Sequence, residues 1–459
     1  MFRRILIANR GEIAVRIIRT CIEMNIDTVA VYSTADKDSL HVKLATKAVC
    51  IGPAKASQSY LNMNSILTAA LDNHCDAIHP GFGFLSENSD FARLCEENNI
   101  KFIGPKADVI DAMGNKAMAK TMMRKGNVPV VPGSDGALKD YDEAKEIADR
   151  IGYPVLLKAS AGGGGRGMRR AYSEEELKKA YDEAKAEARA CFGNDEMYIE
   201  KLIVNPRHIE FQILADEMGN VVHLGERDCS IQRKNQKLIE ESPCMLLSDE
   251  LRDKMGTAAV NAAKASGYTN AGTVEFVLDG DNNFYFIEMN TRIQVEHGVT
   301  EMVTGIDLIK EQIRIAFHEP LGFEQEDIKL KGHAMECRIN AEDPAKGFMP
   351  NSGKITFLNL PGGPGVRVDT MLYNGYETSP FYDSMMAKII VHAPTRLEMI
   401  RKMRRALMEI STEGITTTSD FEYLILFHPD FIKGKYNVGF IEEHMDEILS
   451  WDAFGEGNE

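Results

Sequence analysis

Short β-rich runs alternate with helical spacing through the first third of the chain, and that alternation restricts the fold more than any other feature. Arg4–Asn9 (RILIAN) has the pattern of a buried strand, and Gly11–Glu23 then carries Ile13, Ile17, Ile18 and Ile22 at helical spacing. Thr28–Tyr32, Ala48–Ile51, Ala77–His79 and Phe102–Ile103 read as further strands. Strands joined through helices run parallel, and a parallel sheet needs cover on both faces, so the expected class is α/β. The first strand-to-helix turn, NRGEIA, lacks G-x-G-x-x-G and is no dinucleotide fingerprint. A helix is predicted over Asp108–Arg124, ending at Gly126, with the two-proline stretch VPVVPG as an extended link after it.

At 459 residues and 44% hydrophobic composition, the chain is long enough for two or three packed domains. A formal net charge of −16 repels phosphate backbones and anionic lipid surfaces, so neither nucleic acid nor membrane is an expected partner. Any phosphate ligand must be held by local basic groups. Eight scattered cysteines, with no CxxC pair, fit reduced thiols in a cytosol rather than a zinc site or a disulfide framework. No apolar run approaches the ~18 residues of a membrane span, and MFRRILIANRGE runs straight into a strand, so a cytoplasmic location without a signal peptide is expected.

Residues from about 130 to 200 read as a small lobe with a strand at Pro154–Ser160, a glycine run, and a helix opened by the capping box Ser173/Glu176. Alternating strands follow to about Glu301 (HIEFQIL, GTVEFVL). From about Gly332 a third unit begins with HAMECRI, GKITFL and AKIIVHA, and its helix Arg396–Met408 is expected to present Leu397, Ile400, Met403 and Leu407 on one face. The closing FGEGNE should fray.

The glycine run from Lys158 to Met168 contains Gly162, Gly164 and Gly167 in G-x-G-x-x-G spacing, but MRRAY after it looks extended and no helix starts until Ser173. No Lys-Ser/Thr closes the run, so it is not a P-loop either. What remains is a glycine hairpin whose bare N–H groups could approach phosphate oxygens, with Lys158, Arg166, Arg169 and Arg170 adding positive charge. A plain flexible loop is the bland alternative. The flanking cations favour a phosphate lid.

In VEFVLDGDNNFYFIEMNTRIQVEHGVTE, Glu275 lies on one strand and Glu288 on the next, joined by the turn DGDNN. The hairpin should bring both carboxylates together, with Asn290 on the face of Glu288 by the period of two. Such an oxygen-rich set suits Mg²⁺ bridging nucleotide phosphates. A solvated hairpin edge is the competing reading, and the flanking Phe284, Phe286 and Ile287 weigh against it. Just beyond, Arg292 could grip a small planar anion and Glu296 could take a proton from it; His297 is given no role. Upstream, HLGERDCSIQRKNQK gathers Glu226, Arg227, Asp228, Arg233, Lys234 and Lys237, which as a charge run first reads as a solvated, salt-bridged loop. Within it Lys237 and Gln232 stand out only because a triphosphate site needs offsetting groups.

Taken together, these stretches closely resemble the biotin carboxylases of the ATP-grasp superfamily. The resemblance is carried by ILIANRGEIAVR, HPGFGFLSEN, MGNKAMAK, LLKASAGGGGRGMR, NPRHIEFQ, GERDCSIQR, FIEMNTRIQVEH, HAMECRINAEDP and FYDSMMAKII, from about residue 5 to about 390. It implies a Rossmann-like N-terminal α/β domain over 1–113 and an ATP-grasp domain over 114–330 with a mobile glycine-rich lid lobe at about 130–203. It further implies a C-terminal α+β domain over 331–446 and a disordered tail over 447–459. By the resemblance, Lys116, Lys158 and the backbone at Gly164 and Gly165 hold the nucleotide phosphates. Glu200, Lys201, Leu202 and Ile203 would line the adenine pocket, with His208, Gln232 and Asn235 as further nucleotide contacts. Glu275, Glu288 and Asn290 resemble the ligands of Mg²⁺ or Mn²⁺. Lys237, Arg292, Gln294 and the backbone of Val295 resemble the bicarbonate site, Glu296 the general base, and Arg338 the residue that stabilises the biotin enolate oxygen.

The implied function is ATP- and bicarbonate-dependent carboxylation of biotin on a separate carrier protein, with a carboxyltransferase as further partner. Acetyl-CoA carboxylase, serving fatty-acid synthesis, is the expected assembly, and a homodimer the expected state. Neither a biotinylation motif nor room for a carboxyltransferase is evident in the 459 residues. Subunits of pyruvate or other acyl-CoA carboxylases, another ATP-grasp ligase forming an acyl phosphate, and a non-catalytic nucleotide-binding homologue are the competing readings. Three positions depart from the commoner family pattern: Asn235 where histidine is frequent, Phe82 where tyrosine is common, and Gly298 where proline usually follows the VEH triplet. None removes a charge the mechanism needs.

Overall fold

The computed structural model describes residues 1–159, 168–192 and 195–451. Strands β1 (Arg4–Ile7), β2 (Asp27–Ser33), β3 (Lys47–Gly52), β4 (Ala77–His79) and β5 (Lys101–Phe102) form a parallel sheet in the order β3-β2-β1-β4-β5. Ile5, Leu6 and Ile7 are fully buried because helices cover both faces, as an uninterrupted apolar run requires. The helix Gly11–Glu23 turns Ile13, Ile17 and Ile18 inward, whereas Ile22 is exposed. Strand order reverses between β1 and β4, and a crevice opens at their carboxyl ends, as such sheets dictate. Asn9 closes its floor by donating to Pro80 O and Phe82 O, both at 2.7 Å.

The single helix expected over Asp108–Arg124 is two, Ala107–Gly114 and Lys116–Lys125. Asn115 has extended backbone, and its Oδ1 accepts from Ala117 N and Met118 N at 3.1 and 3.0 Å, restarting the helix on a new axis. Strands β6 (Val155–Ala159), β7 (Met168–Ala171) and β8 (Met197–Lys201) then form the small sheet of the lobe, with β6 central. Helices Tyr141–Ile151 and Glu174–Phe192 pack on it. The Ser173 hydroxyl accepts from Glu176 N, and the Glu176 carboxylate accepts from Tyr172 N rather than from Ser173.

The third sheet spans what the sequence divides into two domains. Strands β9 (Arg207–Ala215), β10 (Val221–Arg233), β11 (Gln236–Ser242), β12 (Asn270–Leu278), β13 (Phe284–Asn290) and β14 (His333–Asn340) join strands Met385–Ala393 and Val366–Thr370 in one antiparallel sheet. Its order begins β13-β12-β9-β10-β11-β14, so β11 pairs with β14 across the expected boundary at residue 330. The charge run at 223–237 is not a solvated loop. It is β10, in the middle of this sheet, and Glu226, Arg227 and Asp228 are buried.

Helix Arg396–Glu409 buries Met399, Ile400, Met403, Ala406 and Leu407, while Leu397 faces solvent, one position off the expected stripe. Helix Phe440–Leu449 carries the fold past residue 446, and Trp451 stacks on His428, so order persists into the expected tail. His428 Nδ1 accepts from Asp430 N at 3.2 Å, and Glu447 lies 3.5 and 3.3 Å from the imidazoles of His428 and His444. That cluster is a helix cap with a ring stack, far along the chain from the cleft residues. Cys21, Cys50, Cys75, Cys95, Cys229, Cys244 and Cys337 are free.

Candidate active site

One cleft of about 1560 Å³ opens between the parallel sheet, the lobe and the large sheet. At its phosphate-sized corner, Lys116 begins a helix, Lys120 sits one turn on, and Lys158 projects from β6. Glu200, opposite Leu156 in the β6/β8 register, accepts from Lys158 at 2.5 Å and pairs with Lys120. Burial, then the neighbouring ammonium groups, lowers both Lys120 and Lys158 to about 8. Charge crowded this way favours an anion among the three lysines. Gly164 and Gly165 lie outside the described residues.

From Glu200 the chain leaves the lobe through Lys201, Leu202 and Ile203, all lining the cleft. The Lys201 ammonium is turned to Gly152 O and Tyr153 O (3.1 and 2.8 Å), so only its backbone and stem face the cavity. Gln232 and Asn235 line the opposite wall. Lys234 and Asn235 have φ of 48° and 66°, the paired left-handed conformations of a two-residue hairpin turn, which asparagine tolerates better than most residues.

Glu275 on β12 and Glu288 on β13 stand opposite each other, with Asn290 opposite Thr273 one non-adjacent pair along. The turn that sets this register is closed by Asp279, whose Oδ1 accepts from Asp281 N and Asn283 N at 2.9 and 2.8 Å. Glu275 Oε1 accepts from Asn290 Nδ2 (2.8 Å), Lys237 (3.1 Å) and Gln294 (3.1 Å), and its Oε2 lies 3.0 Å from His208 Nε2. Burial disfavours the charged form of Glu275, but Lys237 and His208 overcome it and hold its pKa low. Glu288 is different. Burial and then the Glu275 charge raise its pKa, and among the described residues no Lys or Arg forms an ion pair with it. Two facing carboxylates with one uncompensated are a fit for a divalent cation. Asn290 differs from expectation, since its Oδ1 accepts from Arg292 at 3.2 Å and its amide nitrogen faces Glu275.

Arg292 is oriented by Glu87, which accepts from its Nε at 2.8 Å and from Thr291 N at 3.1 Å. A second guanidinium nitrogen donates to Gln294 Oε1 at 2.9 Å. Beneath lies the deepest part of the site. Lys237 Nζ touches Glu210 (2.6 Å), Glu275 (3.1 Å) and Glu296 (2.6 Å), while Arg338 donates to Glu240 (2.6 Å) and to Glu296 (2.8 Å). Burial opposes the charge on Glu296, yet Lys237, Arg338 and Arg227 dominate and hold it well below the usual carboxylate range. His297 is buried with Nδ1 2.8 Å from Gln294 O, a packed histidine.

Lys120, Glu87, Glu210, Arg227 and Glu240 complete these contacts, and sequence reasoning gives none of them a role. Arg227, fully buried, donates to Glu210 at 2.5 Å and to Gln212, Thr273 and Thr300. Glu87 and Lys120 lie inside the matched stretches HPGFGFLSEN and MGNKAMAK, and that position is the available signal for them. At Gly298, a Cβ would fall 2.3 Å from Ile390 Cδ1 and 3.3 Å from Glu336 Oε2, so a larger residue here would require the end of the Ile390 side chain to shift.

Three family models match the chain in series: "Biotin carboxylase, N-terminal domain" over residues 1–110, "Carbamoyl-phosphate synthase L chain, ATP binding domain" over 115–323, and "Biotin carboxylase C-terminal domain" over 336–443. Biotin carboxylase 1 of Bacillus subtilis is 56% identical over 97% of this chain and 99% of that protein. A pyruvate carboxylase subunit of Methanothermobacter thermautotrophicus is 54% identical over 98% and 91%. The biotin carboxylase domain dimer of Hydrogenobacter thermophilus 2-oxoglutarate carboxylase, solved with MgADP, ADP and bicarbonate, superposes with a TM-score of 0.91 at 53% identity, covering 98% of this chain and 99% of that one. With an N-terminal parallel sheet, an ATP-binding lobe and cleft, and full-length similarity of this order, the chain belongs to the biotin carboxylase family of ATP-dependent carboxylases.

Proposed function

We propose that this biotin carboxylase acts on biotin borne by a separate carrier protein, as the first half-reaction of acetyl-CoA carboxylase, with the residue roles that follow. The observation that carries the roles is Glu296, buried between Lys237 and Arg338 at 2.6 and 2.8 Å, with the same Lys237 also 3.1 Å from Glu275 of the Glu275/Glu288 pair. Lys116, Lys120 and Lys158 hold the nucleotide phosphates, and Leu202 and Ile203 the base. Glu275 and Glu288 would hold Mg²⁺ or Mn²⁺, which would neutralise phosphate charge; Asn290 would join them after an amide flip that exchanges its donor and acceptor.

Arg292, Gln294, Lys237 and the Val295 backbone hold bicarbonate in line with the γ-phosphorus. A bicarbonate oxygen attacks that phosphorus, ADP leaves, and the carboxyphosphate formed breaks to CO₂ and phosphate. Arg338 offsets charge on the ureido oxygen as the released phosphate or Glu296 takes the N1′ proton, and N1′ then attacks CO₂. In the resting site Glu296 is too weak a base for that proton. It strengthens when bicarbonate draws Lys237 away and the ureido oxygen draws Arg338.

The 54% identity to one subunit of a pyruvate carboxylase, together with the likeness to a 2-oxoglutarate carboxylase domain, supports a second reading, in which another acceptor is served by the same half-reaction. Carrier proteins from the candidate assemblies, compared as substrates, separate the two. A homodimer is part of the proposal, consistent with the dimeric Hydrogenobacter domain. A cytoplasmic location is consistent with the composition, and among the described residues no helix is long and apolar enough to cross a membrane. The test of the reaction is ADP release from MgATP. It should need bicarbonate and rise with free biotin, and indifference to both would refute the reading.

A further inference from the structure

Lys388 lies on strand Met385–Ala393 of the C-terminal unit and is fully buried. Its Nζ donates to the carbonyl oxygen of Val295 at 2.6 Å and lies 3.3 Å from Glu12 Oε1, on the first helix of the N-terminal domain. Glu12 is itself 3% exposed, and its carboxylate oxygens make no hydrogen bond of good geometry. In the sheet, Lys388 stands between Arg338 and Asp369. An interior ammonium is expensive to desolvate, and an apolar side chain would fill the space at lower cost, so its retention calls for a geometric reason. The carbonyl it holds belongs to the peptide joining Val295 to Glu296. That peptide ends the irregular turn after β13, and Glu296 stands at the N-cap position of the helix His297–Thr304 that follows, without a side-chain capping bond. The turn is closed by a long backbone bond, His297 N to Gln294 O at 3.4 Å, and among the described residues the donor on the Val295 carbonyl itself is the Lys388 ammonium at 2.6 Å, a charged donor that fixes how that peptide faces.

We propose that Lys388, held by Glu12, is a positioning residue for the bicarbonate half-site, acting through the Val295 carbonyl. The inference rests on the roles proposed above for Val295 and Glu296. It ties the half-site to all three units: the turn comes from the ATP-binding part, the ammonium from the C-terminal part, and its counter-charge from the N-terminal domain. Contact with substrate is not involved. Displacement of the turn moves both the bicarbonate-binding backbone and the base, and leaves the lysines of the phosphate corner in place.

The experiment compares wild type, Lys388→Met and the pair Glu12→Gln/Lys388→Met, the last leaving no orphan carboxylate if the single variant is unstable. KM for bicarbonate should rise and biotin-dependent kcat should fall, each by about tenfold or more, as a misplacement near 1 Å implies. KM for ATP and MgADP affinity should stay within about twofold, because uniform nucleotide binding is untouched. Unchanged bicarbonate KM and kcat in a folded variant would overturn the assignment. So would an ATP KM that moves as far as the bicarbonate KM, or loss of folding in both variants, either of which makes Lys388 merely structural. A wild type without bicarbonate-dependent ATP cleavage removes the underlying reading, whereas normal wild-type kinetics with unmoved variants removes only Lys388.

Discussion

Replacing Arg338 by Gln separates the chemistry at biotin from the chemistry at ATP. Arg338 bonds Glu240 and Glu296 at 2.6 and 2.8 Å, and both carboxylates are fully buried. With charge centres about 4 Å apart and an effective dielectric near 20, each attraction is on the order of 4 kcal/mol before desolvation is subtracted. Glu296 would keep Lys237, but Glu240 has no other ion-pair partner among the described residues. Stability should therefore fall, by up to about 3–5 kcal/mol, unless Glu240 takes a proton. The kinetic effect is the sharper one. Loss of a single preorganised donor to a developing oxyanion costs on the order of 10²–10³ in kcat. Phosphate release with bicarbonate, measured with and without free biotin, should lose its biotin stimulation by that factor. The slow biotin-independent ATP cleavage should change by less than about tenfold, a small loss on the barrier scale, because Arg338 contacts neither the lysine corner nor the Glu275/Glu288 pair. An equal loss in both activities would refute the argument.

Glu288→Gln removes the carboxylate without a cation partner, so half-saturation by Mn²⁺, followed by its electron paramagnetic resonance, should shift upward by about tenfold or more, and an unmoved curve would place the metal elsewhere. ADP affinity should be constant below pH 8 and weaken above it, by about tenfold per pH unit for each lysine that must be protonated to bind, since Lys120 and Lys158 titrate near 8 when free. Flat affinity to pH 10 would exclude them as phosphate ligands. Asp36→Asn should cost about 3–5 kcal/mol by stranding Arg10, whose guanidinium bonds that carboxylate at 2.7 and 2.8 Å beside Tyr60. Burial opposes the Asp36 charge but Arg10 outweighs it, so the folded pKa lies below the unfolded one. The stabilisation is thus complete above about pH 4 and fades as pH falls through the folded value, which acid melts of wild type and variant would reveal by converging.

Where periodicity and local chemistry decide structure, the sequence is readable. The parallel strands of the first domain and the Glu275/Glu288 register follow from runs of two and 3.6 and from a turn closed by Asp279. The break at Asn115 escapes such a reading because the apolar spacing continues through it, and only the cap, a side chain bonding two N–H groups, ends one helix and starts the next. β10 escapes it for a different reason. A run such as ERD looks solvated until the partners that neutralise it arrive, Glu210 and Arg207 from β9 for Arg227 and Asp228, and Arg252 from the helix Asp249–Ser266 for Glu226, all distant in sequence. The same applies to Glu240 beside Arg338 and to Lys388 beneath Val295. Pair partners across a sheet carry no local signal. The exposed Leu397 shows the smaller error of a helical stripe drawn one residue off.

Carboxyl transfer onto biotin is the claim on which the roles of Glu296, Lys237 and Arg338 depend. The direct measurement incubates the protein with MgATP, radiolabelled bicarbonate and free biotin, and counts acid-labile label that avidin captures. Label should accumulate on biotin in step with ADP, and Glu296→Gln should abolish it while MgADP still binds. ADP formed with no label on biotin, or label retained in full by Glu296→Gln, would contradict the account.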